Sequence, residues 1–254
     1  MTHVDVREQH RDKRASAGAC VLPPGQHAVD GFPRFGTHLH HPAPEVPKHP
    51  MIKIIGAGIT PFAVALADLA TLPRRELDAD FHCVAGWSAT GLRWEGVAFK
   101  TFYRSVIRPA IPRSVTVTHL AFAGLDRYRS IATIEDAMAD DVLLAEHLDG
   151  LPLDTDHGAP LRLVSPSQYG YLSTKHLCVI ELHTEPPNEN YGSVSALTGL
   201  GLRGPLFQRH PRARVWNEER HRYLPGAALR PLYRLLIPPI AFLSARGSHS
   251  DSSE

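Results

Sequence analysis

Apolar residues along this chain fall into short runs, separated by prolines, glycines and charged positions. Met51 to Ile55 predicts a strand. Pro61 to Leu72 starts as a strand and turns helical, because Leu66, Leu69 and Leu72 recur at the spacing of a helix face. Phe81 to Val84 predicts a strand, and Val97 to Val106 a helix. Val115 to Phe122 is β-branched and apolar, which predicts another strand. Ile134 to Met138 reads as a helical turn carrying Glu135 and Asp136. Val142 to Leu148 fits either strand or helix and runs into the turn Asp149-Gly150. Leu161 to Val164 predicts a strand stopped by Ser165-Pro166; after the turn Tyr169-Gly170-Tyr171, Leu177 to Leu182 predicts the last one. Short strands broken by short helices, with no βαβ rhythm, predict an α+β domain of mixed sheets over residues 31–190.

The flanks read differently. Residues 1–30 are polar, mixed in charge and aperiodic, the pattern of a flexible tail. Residues 191–254 form an Arg-rich C-terminal arm: from Arg203 to Arg234 there are eight Arg against two Glu, an excess of six positive charges. Within it Leu229 to Leu236 predicts an amphipathic helix. Such an arm is expected to pack its Leu, Tyr and Phe on the main domain and leave its Arg in water, rather than lie on an anionic membrane.

With 254 residues, 43% of them hydrophobic, the chain can bury one large core. A formal net charge of +1 makes no electrostatic case for a nucleic-acid partner. Cys20, Cys83 and Cys178 leave one thiol over under any pairing, which argues against a disulfide framework and for a reducing compartment. The N-terminal residues lack the apolar stretch of a secretory signal, and the run Leu235 to Leu243, broken by two prolines, is too short to span a bilayer. A cytoplasmic protein is the expectation. Neither a P-loop nor G-x-G-x-x-G occurs, so the common nucleotide sites lack support.

Candidate chemistry starts at the run from Asp80 to Ser88. Cys83 ends a predicted strand, and Trp87 and Trp94 fence it across a Gly-containing loop, so its sulfur can face a cleft. A free Cys is more often a small buried hydrophobe, and on these residues alone that reading wins. Further along, His157 and Arg162 stand five residues apart around a Gly-Ala-Pro bend, and Tyr171 and Lys175 follow in a polar loop. A guanidinium, an ammonium and loop amides together are how proteins hold a phosphate, although each motif alone is an ordinary charged turn. His38, His40 and His41 lie in a segment held extended by Pro42, Pro44, Pro47 and Pro50. Structural zinc would need further ligands at a defined spacing, which the sequence lacks.

In order and spacing these stretches resemble the molybdopterin-binding domain of the sulfite oxidase family. Its bacterial members include the catalytic subunit that reduces methionine sulfoxide in periplasmic proteins. The resemblance runs through Phe81-His82-Cys83-Val84-Ala85-Gly86-Trp87-Ser88, Trp94-Glu95-Gly96-Val97, Phe122-Ala123-Gly124-Leu125-Asp126, Asp141 to Ala145 with Asp149-Gly150, and Asp156-His157-Gly158-Ala159-Pro160-Leu161-Arg162, then Tyr169 to Lys175. It spans Phe32 to Asn190 and implies the sulfite oxidase-type molybdopterin-binding fold. It also implies molybdenum on a single pterin, with the Cys83 thiolate as the one protein ligand. A soft thiolate suits such a metal, and binding deprotonates it.

By the same resemblance, His38, His157, Arg162, Tyr171 and Lys175 contact the pterin and its phosphate, and Trp87 and Trp94 wall a substrate pocket beside Cys83. The implied activity is oxygen-atom transfer to or from a small substrate. Electrons pass to or from a separate partner, because no second redox centre is encoded, and the arm is a candidate surface for it. Two rivals stay open: a module that carries molybdopterin for a partner without turnover, and a reductase of S- or N-oxides. Departures from the animal sulfite oxidases leave the substrate open. Gly36-Thr37-His38 replaces Arg-Asn-His, Ser130-Ile131-Ala132-Thr133 stands where those enzymes carry a Tyr, and Leu172 stands where many bacterial relatives have Lys.

Overall fold

The computed structural model describes residues 21–33, 43–187, 208–231 and 233–235. His38, Cys20 and much of the arm lie outside them. In chain order the strands are β1 (His27–Ala28), β2 (Met51–Gly56), β3 (Phe62–Ala65), β4 (Arg74–Asp78), β5 (Phe81–His82), β6 (Trp87–Ala89) and β7 (Arg93–Ala98). They continue with β8 (His119–Gly124), β9 (Arg129–Thr133), β10 (Leu143–Leu148), β11 (Leu151–Pro152), β12 (Arg162–Val164) and β13 (Leu177–His183). Among the described residues these form three sheets: β3-β2-β13-β8-β9, β11-β10-β7-β4 with β12 beside β10, and the small β1-β6-β5. The sheets are mixed and the helices few and short, as the α+β expectation holds. No helix among the described residues is long and apolar enough to cross a membrane.

The period-2 strands form for the reason their pattern gives. In β2, Ile52 and Ile54 point into the core while Met51 and Lys53 face out. Where both faces are covered the pattern becomes a continuous apolar run, as at Leu143-Leu144-Ala145 of β10. The partners β7 and β12 decide that Val142 to Leu148 is strand rather than helix. Phe99 meets Phe122 edge-on at 5.4 Å, which joins the end of β7 to β8.

Four expectations change. The helix predicted from Val97 begins two residues later, because Val97 and Ala98 pair with Leu144 and Leu143. It runs as α1 (Phe99–Phe102), a wider turn (Tyr103–Ile107) and a tight turn (Arg108–Ala110). The charged segment Arg74–Asp78 and the segment Arg129–Thr133, neither expected as strands, are edge strands. Residues 21–30 were expected to belong to a flexible tail, yet the amides of His27 and Val29 bond the carbonyls of Gly86 and Ser88 and make β1 the parallel edge partner of β6. The arm's predicted helix is present at residues 226–231 and 233–235. Its division into buried apolar and solvated Arg holds for Tyr233, which is buried, but fails for Arg209 and Arg220, which are buried as well. Arg212 and Arg230 are engaged with acids instead of water alone, while Trp216 and Leu235 stand exposed.

Candidate cofactor site

Cys83 follows β5 and opens the turn into β6. Its amide bonds the Trp87 carbonyl at 2.8 Å, and its carbonyl accepts from the Gly86 amide at 2.9 Å. Gly86 takes φ +99, a conformation open to glycine and strained for other residues. The N-terminal segment holds the turn from one side: the Gln26 side chain donates to the Cys83 carbonyl at 3.1 Å and accepts from the Ser88 hydroxyl at 3.0 Å. Ser88 in turn meets His82 Nδ1 at 2.8 Å. The thiol itself is half-buried and unpaired in any disulfide. Burial pushes it up to about 12, against which a bond from the Ala85 amide and the charge of Arg220 both act.

The other side of this turn belongs to the arm. Arg220, 1% exposed, donates to the Val84 carbonyl and, at 3.3 Å, to that of Gly25. Its guanidinium lies between the rings of Tyr169 (5.0 Å) and Tyr233 (5.4 Å). Tyr128 and Tyr233 are raised chiefly by burial, and an ionised Cys83 would raise both further. Tyr128 donates to the Tyr171 carbonyl at 2.6 Å, and Arg209 covers both rings at 5.0 and 5.3 Å.

His157, Arg162 and Lys175 do come together, around Gly158. A Cβ on Gly158 (φ +108) would lie 3.2 Å from Arg162 Cβ and 3.1 Å from that of Lys175. Lys175 donates to the Asp156 carbonyl. His157 has both ring nitrogens occupied, Nδ1 by Asp154 at 2.7 Å and Nε2 by the Phe32 carbonyl at 3.0 Å. Arg162 is wholly buried in a cage of Phe32, Phe81 and Trp94, bonding the carbonyls of His157 (2.9 Å) and Ser173 (3.4 Å). Burial drops it to about 9, with Asp154 acting in the opposite direction. Phe81 is two residues before Cys83, and the Gly170 amide bonds the His82 carbonyl at 2.8 Å, so strand β5 links the two clusters.

Two of the expected site residues have other positions. Trp87 and Trp94 are 2% and 0% exposed. Trp94 donates its indole N–H to the Ala79 carbonyl and lies under Arg162; Trp87 packs on Phe81 at 5.8 Å. Both are core side chains, large and apolar enough to be drawn inside, and neither is the substrate-pocket wall expected of it. Tyr171 is half-buried and packs against the core, with its hydroxyl donating to the His210 carbonyl at 3.1 Å. His38 lies outside the described residues. Sequence reasoning does not single out Gln26, Phe32, Tyr128, Arg209, Arg220 or Tyr233. Only the recurrence of Arg among aromatic residues between 209 and 233 signals the last three.

The donor set sets the kind of ligand. The Nε atoms of Arg162, Arg209 and Arg220 are buried with no hydrogen-bond partner among the described residues. Buried cations with donors to spare call for an anion, and a thiol in a turn beside one of them, Arg220, suits a soft metal. The fold and site thus define a holder of an anionic, metal-bearing cofactor, and molybdopterin with its phosphate fits that description. The model of the oxidoreductase molybdopterin binding domain matches residues 38–191, more than half of the chain, which therefore belongs to that family.

Relatives agree. The uncharacterized oxidoreductase YuiH of Bacillus subtilis is 28% identical over 74% of this chain and 89% of its own. The protein-methionine-sulfoxide reductase catalytic subunit MsrP of Xanthomonas campestris is 30% identical over 79% of this chain and 66% of its own. Human mitochondrial sulfite oxidase is 28% identical over 63% of this chain and 33% of its own, so the chain spans about two thirds of the one and a third of the other. Among solved structures, the sulfane dehydrogenase SoxCD of Paracoccus pantotrophus shares the fold, with a TM-score of 0.50 and 19% identity over 69% of this chain and 56% of its own. The chain is a molybdopterin-dependent oxidoreductase of the sulfite oxidase type.

Proposed function

We propose that this chain is a catalytic module that moves one oxygen atom to or from a small substrate and exchanges electrons with a separate partner protein. The observation that carries this reading is the Cys83 turn, closed on one side by Gln26 and on the other by Arg220. Cys83 would supply the thiolate. Arg162 and Lys175 would offset the charge of the phosphate-bearing end, and the Phe32, Phe81 and Trp94 cage would fix the guanidinium in one orientation. When bound, the cofactor supplies two-electron oxygen-atom transfer, its molybdenum alternating between +6 and +4. Arg209, whose Nε has no partner among the described residues, would offer a hydrogen-bond donor to a substrate oxygen, held in place over the Tyr128 ring.

Reduction of an S-oxide is the favoured direction. In support, the chain covers 66% of the methionine-sulfoxide reductase subunit against 33% of human sulfite oxidase. The oxygen would leave as water, with two electrons and two protons from outside the chain. The test uses protein made in a host that synthesises the cofactor. Molybdenum is measured by mass spectrometry and pterin by fluorescence after oxidative release. A sulfoxide, N-oxide and sulfite panel is then run with a reduced and an oxidised dye. Turnover of a sulfoxide with the reduced dye, abolished in Cys83→Ser, is the expected result. Activity only towards sulfite with the oxidised dye reverses the direction. Bound cofactor with no turnover of any substrate leaves the carrier reading standing instead.

A further inference from the structure

Gln26 and Arg220 both grip the Cys83 turn, and both lie outside residues 38–191, the span that matches the family model. We infer that Arg220 is a positioning residue for the metal-binding thiol, and that the described part of the C-terminal arm, residues 208–231 and 233–235, is a clamp completing the cofactor site. The inference rests on the reading of Cys83 as metal ligand given above.

Three relations support it. First, Arg220 bridges two segments far apart in sequence, the Val84 carbonyl beside Cys83 and the Gly25 carbonyl beside Gln26. A planar guanidinium can hold two carbonyls in fixed relation, which an ammonium cannot do with the same geometry. Second, the approach needs a glycine. A Cβ on Gly25 would come within 2.9 Å of Arg220 Nη2, 3.0 Å of Glu218 Oε1 and 3.2 Å of Arg230 Nε, and the residue has φ +70. Third, Arg220 is itself held. Tyr169 and Tyr233 flank it, the Glu218 carboxylate stands at 4.0 Å, and Glu218 is fixed by Arg230 Nε at 2.7 Å. His221 meets the Tyr233 hydroxyl at 2.6 Å, so the next residue anchors the same ring. A group so enclosed, with Nε still unpartnered among the described residues, carries more than surface charge.

The experiment compares holoprotein of the natural sequence with Arg220→Lys, Arg220→Gln and the exposed control Arg222→Lys. Hydrogen exchange is followed at the Cys83 and Gly86 amides, both bonded within the turn. The Mo(V) electron paramagnetic resonance spectrum is recorded on the same samples. Arg220→Gln is expected to exchange about tenfold faster at these two amides, a loss on the scale of one hydrogen bond to a charged group, with Arg220→Lys between it and the natural protein. Both are expected to show altered g-values, and Arg222→Lys neither change. If the Arg220 variants do not fold, Glu218→Gln, which leaves both carbonyl bonds available, takes their place with the same expectations at smaller amplitude. Natural exchange rates and g-values in every folded variant would overturn the clamp. Loss of the thiolate signature in Cys83→Ser alongside that result would leave the ligand reading intact; a natural spectrum in Cys83→Ser would remove the ligand reading whatever Arg220 does.

Discussion

The guanidinium of Arg162 lies 5.0 Å from the centre of the Trp94 indole, with the rings of Phe81 and Phe32 at 5.4 and 5.6 Å. Each such contact contributes about 0.5–2 kcal/mol, whereas taking the ion from water costs several kcal/mol. Its hydrogen bonds go to main-chain carbonyls, not to a carboxylate. The cage orients the cation without neutralising it, and an anionic ligand would supply the rest.

Replacing Arg162 by Met separates those two roles. Removing an unpaired buried charge while keeping the side-chain volume is expected to change the stability of the cofactor-free protein by about 1 kcal/mol or less, in either direction. The molybdenum and pterin content of the purified protein is expected to fall about tenfold, because the phosphate end loses a charge-assisted partner. Urea unfolding and metal analysis on the same preparations check both halves. Full cofactor content with a large loss of stability would make Arg162 a structural bolt only.

Cys83 gives a pH dependence with a definite sign. Its thiol is raised to about 12 in the folded, cofactor-free chain, above its ordinary value. A raised folded value contributes stability that is fully present below the unfolded pKa and is lost as pH rises towards the folded one. The advantage of the natural protein over Cys83→Ala is therefore expected to shrink between pH of about 8 and about 10.5. Arg162, lowered to about 9, acts oppositely over this range, and the comparison with Cys83→Ala cancels it. Urea midpoints of both proteins at the two pH values decide the matter; an advantage that stays constant would show a thiol that burial does not raise.

What could be read in advance follows the reach of each signal. Strand β2 was legible because Ile52 and Ile54 alternate with outward residues, and the Cys83 turn because strand residues run into Gly86. The His157 to Arg162 bend was legible because Gly158 marks it. Strand β4 was not, since Arg-Arg-Glu-Leu-Asp has no apolar face and is held by its pairing with β7. The start of α1 was misplaced because Val97 and Ala98 suit a helix until β10 claims them. Burial of Arg220 depends on Val84, 136 positions away, and no local pattern announces such a partner. Indoles beside a Cys invited a pocket-wall reading, whereas their size alone favours the core they occupy.

Gly96 tests how strictly the central pairing is fixed. A Cβ there would lie 1.9 Å from the Leu144 carbonyl oxygen and 2.8 Å from Ala145 Cα, both main-chain atoms of β10. Neither can retreat without opening the ladder that pairs Gly96 with Ala145. Gly96→Ala is expected to cost about 3 kcal/mol or more, read as a lower urea midpoint. A loss below about 1 kcal/mol would mean that β7 and β10 slide apart easily.

The arm is fastened to the domain at a second point, and there the argument is electrostatic. Thr133 caps α2 (Ile134–Ala137), accepting from the Asp136 amide at 3.1 Å and donating to its carboxylate at 2.9 Å. That carboxylate, 11% exposed, receives Arg212 Nε at 3.0 Å and Nη2 at 2.7 Å in a two-pronged bond. Partial burial and fork geometry lift this pair above an ordinary surface bridge. A double-mutant cycle of Arg212→Ala and Asp136→Asn is expected to give a coupling of about 1 kcal/mol at low salt, reduced in 1 M chloride by screening. Arg212→Ala alone should speed tryptic cleavage within the arm while residues 43–187 stay resistant, because the arm opens locally before the sheets do. Independent, additive effects of the two substitutions would show that the pair contributes nothing and that the buried Arg220 contacts hold the arm unaided.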